Sequence, residues 1–187
     1  MMSKYDRKLL VVEDKLIKKI AKYDSLAFEQ LYNETSGAVF GLAMSILANQ
    51  TDAEDVVQKT YISVYNKAKT YKGKGKAMAW IFTIARNHAL MKIRDRNKRS
   101  HIDLDDLYDI GTGNNIEEEL HKEQLVDVLL NILSEDERQI VVMHAMSNIK
   151  HKEIARIMGM PLSTVLSKYK RSLEKLRREM EVNEYER

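Results

Sequence analysis

The chain has no cysteine among its 187 residues. That excludes disulfide frameworks, thiolate metal sites and cysteine nucleophiles together. Proline occurs once and glycine seven times, too few breakers for a turn-dense β-sandwich or a low-complexity scaffold. No apolar run approaches the ~18 residues needed to cross a bilayer. Residues 1–22 alternate charged and apolar positions (Lys15-Leu16-Ile17-Lys18-Lys19-Ile20) and lack the continuous apolar core of a secretory signal. A cytoplasmic protein with no direct membrane insertion is therefore expected. Excess charge is scarce too: the formal net charge is only +3, a weak pointer to an acidic partner. What is abundant is 44% hydrophobic and 32% charged residues, enough for one domain or two small ones.

Catalytic constellations are also missing. The five histidines (His88, His101, His121, His144, His151) show no metal-ligand spacing. Gly73-Lys74-Gly75 lacks the strand and the following residues of a phosphate loop, and no Ser–His–acid arrangement is visible. The expectation is a chain that is not an enzyme and holds no metal or cofactor.

Helical periodicity dominates instead. Phe28, Leu31, Tyr32, Val39, Leu42, Ala43, Ile46 and Leu47 recur at three- and four-residue spacing. Thr51 followed by Asp52, Glu54 and Asp55 looks like a capped helix start with acids in the first turn. That helix would turn Val56, Val57, Tyr61, Val64 and Tyr65 inward and end near 71–76, where two glycines interrupt it. Another begins around Met78 and would bury Trp80, Ile81, Ile84, Ala85 and Ile93. Residues 100–119 lose the periodicity, and Gly111-Thr112-Gly113-Asn114-Asn115 is loop chemistry, so the stretch reads as a linker. Helicity resumes at Leu125, and Ser134-Glu135-Asp136-Glu137 is a capping box. The predicted fold class is all-α: two small helical domains, 1–99 and 120–187, joined by a flexible acidic linker.

Residues 151–170 fit a helix-turn-helix. Ala155 is small where the second helix crosses, Gly159 tolerates positive φ in the turn, and Val165 faces back into the crossing. Val165, Tyr169, Leu173 and Leu176 would form the buried stripe. Ser163, Thr164, Ser167, Lys168, Lys170 and Arg171 are then left on the outside, hydroxyls and cations suited to phosphates and base edges. A plain αα-hairpin with a solvated basic face is the alternative. Leu166 stands apolar where a groove-facing helix would be polar.

The first domain has its own basic face. Between 67 and 99 there are eleven cations and one acid, Asp95. Such density favours a polyanion through phosphate contacts and counterion release. Tyr71, Trp80, Asn87 and His88 are interleaved with it, as in grooves that stack unpaired bases. Trp80 also keeps helical spacing with Ile84, so core packing is equally open to it.

These motifs, in this order, resemble the extracytoplasmic-function (ECF) sigma factors of bacterial RNA polymerase. The resemblance runs from about Asp24 to Met180. It rests on Ala27-Phe28-Glu29-Gln30-Leu31-Tyr32, Asp52-Ala53-Glu54-Asp55-Val56-Val57-Gln58 and Ala79-Trp80-Ile81-Phe82-Thr83-Ile84-Ala85-Arg86-Asn87. In the second domain it rests on Leu133-Ser134-Glu135-Asp136-Glu137-Arg138 and on the helix-turn-helix from Glu153 to Val165. The resemblance implies docking on the β′ coiled coil of core RNA polymerase through Asp52, Glu54, Asp55 and Gln58, with the β flap as a second contact. It implies capture and melting of the promoter −10 element by Tyr71, Lys72, Lys74, Lys76, Trp80, Arg86, Asn87 and Arg94. It also implies reading of the −35 element by residues 163–171, and it raises an anti-sigma protein as a further partner.

The acids Asp103, Asp105, Asp106, Asp109, Glu117, Glu118 and Glu119 of the linker would, in such a protein, thread toward the RNA exit path, or serve as ordinary solvated linker. Three departures from the family pattern stand out: Lys59 where an acid is usual, Ala77-Met78 before the tryptophan, and the Leu166, Lys168, Tyr169 and Lys170 set in the second helix. The competing reading is a helix-turn-helix regulator that binds promoter DNA without polymerase. It explains 151–178 but leaves the acidic helix and the basic-aromatic region without a role.

Overall fold

The helices begin where the side chains can satisfy their first amides. In the computed structural model, which describes Val12 and residues 14–73, 75–100 and 130–185, no strand occurs among the described residues. Helix α1 (Asp14–Ile20) buries Leu16, Ile17 and Ile20. Helix α2 (Ser25–Leu47) is capped by Asp24, whose carboxylate accepts from the Ala27 amide at 3.0 Å. Its Leu31, Val39, Leu42, Ala43, Ile46 and Leu47 are buried as the periodicity predicts, whereas Tyr32 turns outward and is 39% exposed. Helix α3 (Gln50–Lys67) starts earlier than Thr51. Asn49, in extended conformation, accepts from the Asp52 amide at 2.8 Å and is the better cap. Val56, Val57, Tyr61 and Val64 point inward, but Tyr65 remains on the surface, edge-on to Phe28 at 5.4 Å.

A 3-10 turn (Ala68–Thr70) ends α3, and the chain then crosses a loop in which Gly73 and Gly75 both adopt positive φ, 76° and 65°. Left-handed backbone at two positions in three is what glycine permits and most residues resist. Helix α4 (Ala77–Ser100) follows, with Ile81, Phe82, Ile84, Ala85 and Ala89 in the core and Trp80 and Ile93 half-buried at its rim. Among the described residues, the four helices α1–α4 precede residue 101.

After a helical stretch at residues 130–132, the expected capping box forms. Ser134 and Glu137 exchange bonds at the start of α5 (Glu135–Ser147), the Ser134 amide donating to the Glu137 carboxylate at 3.0 Å. Helix α6 (His151–Met158) ends at Gly159 with φ 66°, and the Met160 amide returns to the Ala155 carbonyl at 3.0 Å. Helix α7 (Leu162–Tyr185) follows Pro161, whose carbonyl accepts from the Thr164 and Val165 amides. Ile154, Ala155, Met158 and Val165 are buried at the crossing. The stripe on α7 differs at one position: Ser172 is buried and Leu173 is 46% exposed. Two turns of 3.6 residues from Val165 lead to 172, not 173.

The two units, α1–α4 and α5–α7, share one core. Helix α2 packs on α5 and α4 on α6, and the buried apolar cluster runs without a break from Val12 to Val165. A Cβ at Gly41 of α2 would lie 2.7 Å from the Met146 sulfur of α5, so the Met146 side chain occupies the space that residue 41 leaves open. Arg138 of α5 reaches across to the Ser45 carbonyl at 3.1 Å. Of the predicted linker, Ser100 continues α4, and the remainder, with its acids, lies outside the described residues.

Candidate functional site

Three surfaces carry the side chains singled out by the sequence. The first is on α3. Asp55 accepts from Lys59 at 2.7 Å and from Lys92 of α4 at 2.6 Å. Asp52 pairs with the same Lys92 at 2.9 Å and lies 3.9 Å from Arg96. The Lys59 and Lys92 ammonium groups hold the Asp55 carboxyl below its usual range, outweighing a smaller opposing effect of burial. Burial would lower Lys92, but the bonds to Asp55 and Asp52 prevail and raise it. These two acids therefore fasten α3 to α4. Glu54 and Gln58 are exposed, and they rim a groove of about 410 Å³ floored by Tyr32, Phe40 and Val57. Sequence reasoning missed Tyr32 and Phe40 as surface groups. Their i, i+8 spacing with Ser36 between them marks one helical face and was the available signal.

The second surface joins the glycine loop to α4. The Tyr71 ring lies 4.9 Å from that of Trp80, tilted by 40°. Tyr71, Lys72, Lys76, Trp80 and Thr83 line a pocket of about 390 Å³, closed on its far side by Glu153, Arg156 and Ile157 of α6. Lys76 donates to Glu153 at 2.8 Å. Arg86 donates to the fully buried Gln139 at 2.9 Å. Asn87 and Arg94 are exposed, and they follow Trp80 and Thr83 along one face of α4 at helical spacing. The structure thus brings Tyr71, Lys72, Lys76 and Trp80 together and engages Lys76 and Arg86 with the second unit. Lys74 lies outside the described residues. Asp14, which sequence reasoning also missed, reaches this loop from α1: Tyr71 Oη donates to its Oδ1 at 2.6 Å and the Gly75 amide to its Oδ2 at 2.7 Å.

The third surface is the outer face of α7. Ser163, Ser167, Lys170 and Arg171 are exposed at spacings that share a face, Thr164 is half-buried, and Leu166 is 46% exposed beside them. Lys168 is turned back onto Asp136 of α5 at 3.1 Å. Behind this face, His144, His151 and Tyr169 form a three-ring cluster, the histidines stacked at 4.4 Å and each within 5.0 Å of the tyrosine ring. Among the described residues, no group of three or more His, Asp or Glu side chains is arranged to hold a metal ion, and no helix is long and apolar enough to cross a membrane.

Comparison with known proteins bears on all three surfaces. The family model for sigma-70 region 2 matches residues 31–99, and that for sigma-70 region 4 matches residues 123–176. The ECF RNA polymerase sigma factor SigK of Mycobacterium tuberculosis is 26% identical over 178 residues, covering 91% of this chain and 94% of the relative. The chain belongs to the ECF sigma factor family. A second relative, the ECF RNA polymerase sigma-E factor of Haemophilus influenzae, is 25% identical over 88% of this chain and 93% of its own length. The fold is also that of solved sigma-factor structures. The sigma factor RpoE of Bartonella quintana, solved with the anti-sigma factor NepR, superposes with a TM-score of 0.70 at 24% identity, covering 83% of this chain and 97% of that one. CnrH, solved with the cytosolic domain of CnrY, gives 0.65 at 22% identity over 91% and 97%.

In this sigma factor the region 2 match spans the α3 acids, the glycine loop and α4, and the region 4 match spans the helix-turn-helix. Helix α1, with Asp14, precedes both matches.

Proposed function

We propose that this sigma factor binds core RNA polymerase and directs it to promoters through the three surfaces described, each with a separate task. The groove between α2 and α3, rimmed by Glu54 and Gln58, docks on the β′ coiled coil. Asp52 and Asp55 act there by fixing α3 against α4. The β flap contacts the second unit. The loop at 71–76 and the Trp80–Arg94 face of α4 capture and melt the −10 element. Tyr71, Lys72, Lys76, Trp80, Arg86, Asn87 and Arg94 supply stacking surface and phosphate contacts, and Lys74 is assigned to the same task from its place in the sequence. Ser163, Thr164, Ser167, Lys170 and Arg171 read the −35 element from the N-terminal part of α7. Lys168 joins them once released from Asp136.

The observation that carries this reading is the pairing of Tyr71 with Trp80 in a cation-lined pocket, an aromatic platform where an unpaired base can stack. Stacking of this kind is worth about 1–3 kcal/mol per base and needs no duplex. The chain works in the cytoplasm, where polymerase and promoter DNA are, as a binding factor and not as an enzyme. By likeness to the RpoE–NepR complex, an anti-sigma protein is a further partner.

Transcription in vitro with core polymerase on genomic DNA tests the function, and defined start sites that require this chain are expected. Failure to initiate at any promoter would overturn it. Specific, tight duplex binding by the free chain would favour a polymerase-independent regulator instead. The assignment of surfaces is tested by changing Arg86 and Arg94 together to Ala. That variant should bind core normally and fail to open promoters, whereas loss of core binding would mean that the two surfaces are exchanged.

A further inference from the structure

One carboxylate grips the backbone and the tyrosine of the glycine loop at once. Asp14, at the start of α1, accepts from Tyr71 Oη at 2.6 Å through one oxygen and from the Gly75 amide at 2.7 Å through the other. The two bonded groups are four residues apart and bracket Gly73. The Lys76 amide in turn donates to Tyr71 Oη at 3.3 Å, so the hydroxyl gives its proton to Asp14 and accepts from the end of the loop. A Cβ at Gly73 would stand 3.3 Å from Asp14 Oδ2, which shows how closely the backbone is drawn to the carboxylate. Gly73 and Gly75 both hold left-handed backbone, a conformation that glycine adopts and leaves easily. A chain so free needs a reason to remain in one shape, and bonds to a charged acceptor are roughly twice as strong as neutral ones.

We propose that Asp14 is the positioning residue of the −10 capture loop, setting the loop's shape and the angle of Tyr71 against Trp80 so that an extruded base meets a preformed platform. It touches no DNA itself and acts through Tyr71 and the Gly75 amide. The inference rests on the reading of the loop as the −10 strand-capture element. The bond geometry explains why Tyr71 is a tyrosine: a phenylalanine would keep the ring on Trp80 but lose the anchor. Burial, and then the Asp14 carboxylate, push the Tyr71 hydroxyl above its ordinary range, so it remains a donor at every pH at which the protein works.

Holoenzyme reconstituted with the full-length chain, on a promoter mapped by transcription, tests this by discrimination between the native and a scrambled −10 element. Asp14→Ala should reduce that discrimination about tenfold, in line with the loss of two bonds to a charged acceptor, while leaving core affinity unchanged. A role in stability alone would lower the melting temperature and the use of both promoters alike. Tyr71→Phe, which keeps the ring packed and removes only the hydroxyl, should reproduce most of the loss. Combined with Asp14→Ala it should add little.

Unchanged discrimination in Tyr71→Phe overturns the proposal, even if Asp14→Ala fails to fold. Trp80→Ala and a Lys72→Ala, Lys76→Ala pair separate this from the larger reading. If those variants discriminate normally, the loop is not the −10 element. If they lose discrimination and the Asp14 and Tyr71 variants do not, only the anchoring role falls.

Discussion

Glu137 is 4% exposed and yet serves as a charged group twice over. One oxygen accepts from the Ser134 amide and from Lys175 of α7 at 2.7 Å, tying the start of α5 to α7. Burial would raise its carboxyl, but Lys175 and the Ser134 amide outweigh that and hold it below its ordinary 4.5. Its contribution is therefore present above pH 4.5 and is lost as the pH falls through the lower folded-state value. Glu137→Ala removes a cap and strands a half-exposed lysine, for a loss of about 2 kcal/mol in urea unfolding at neutral pH. On α3 the charges divide differently. Asp55 is committed to Lys59 and Lys92, whereas Glu54 and Gln58 face solvent. Glu54→Ala and Gln58→Ala should each weaken core binding about two- to fivefold, the worth of an exposed polar contact. Asp55→Ala should appear mainly as a lower melting temperature. Equal losses of core affinity for all three, with unchanged stability, would contradict this division. Lys59, the departure from the family pattern, thus acts as an intrahelical partner of Asp55.

At the scale of elements, what was legible in the sequence is what depends on neighbours within a turn or two. The Ser134–Glu137 box, the Gly159 turn and the Val165 crossing involve contacts a few residues apart, and each forms as its residues dictate. The Leu173 expectation failed because a period rounded to four places the stripe one residue late beyond the second turn. Contacts between distant segments were not legible. Asp14 meets Tyr71 across 57 positions, and Arg86 meets Gln139 across 53, with no local signal for either pairing.

The same holds for His144 and His151, separate in sequence and stacked in the fold. Burial, and then the neighbouring His144, hold the His151 imidazole below its ordinary 6.5, and its Nε2 is buried with no hydrogen-bond partner. The unfolded chain then takes up the proton first, so stability falls as the pH drops through 6.5 toward the folded-state value. His88 of α4 is lowered in the same sense, by burial and then by Lys67 and Lys59. Urea unfolding between about pH 7.5 and about 5.5 should therefore show declining stability. His151→Phe should flatten part of the decline while His88 retains the rest, and an unaltered slope in that variant would refute a role for the ring cluster.

As a whole, the molecule is closed. Elements 35 and 10 base pairs upstream of a start site are about 85 Å apart along B-form DNA at ~3.4 Å per base pair. A compact chain of this length has a radius of gyration of about 16 Å, roughly 40 Å across. Surfaces joined by Lys76–Glu153 at 2.8 Å and Arg86–Gln139 at 2.9 Å cannot read both elements at once. Promoter reading under the proposed function therefore requires α2 to part from α5 and α4 from α6. The 29 residues from 101 to 129 have a covalent reach of about 95 Å at ~3.3 Å each, enough for the span.

Two cations that the proposed function assigns to the −10 surface are held in this arrangement, Lys76 by the Glu153 carboxylate and Arg86 by the Gln139 amide oxygen. Salt screens the Lys76–Glu153 pair but leaves the apolar packing of α2 on α5 in place. Gly41→Leu fills the space that residue 41 leaves for Met146, and Glu153→Gln removes the ion pair. Together they should raise the radius of gyration of the free chain in X-ray scattering. They should also strengthen its binding to single-stranded −10 DNA about tenfold, since Lys76 and Arg86 become available, while the exposed Ser163–Arg171 face gains nothing for duplex −35 DNA. An unchanged radius together with unchanged single-strand affinity would mean that the interface does not govern access to the −10 surface.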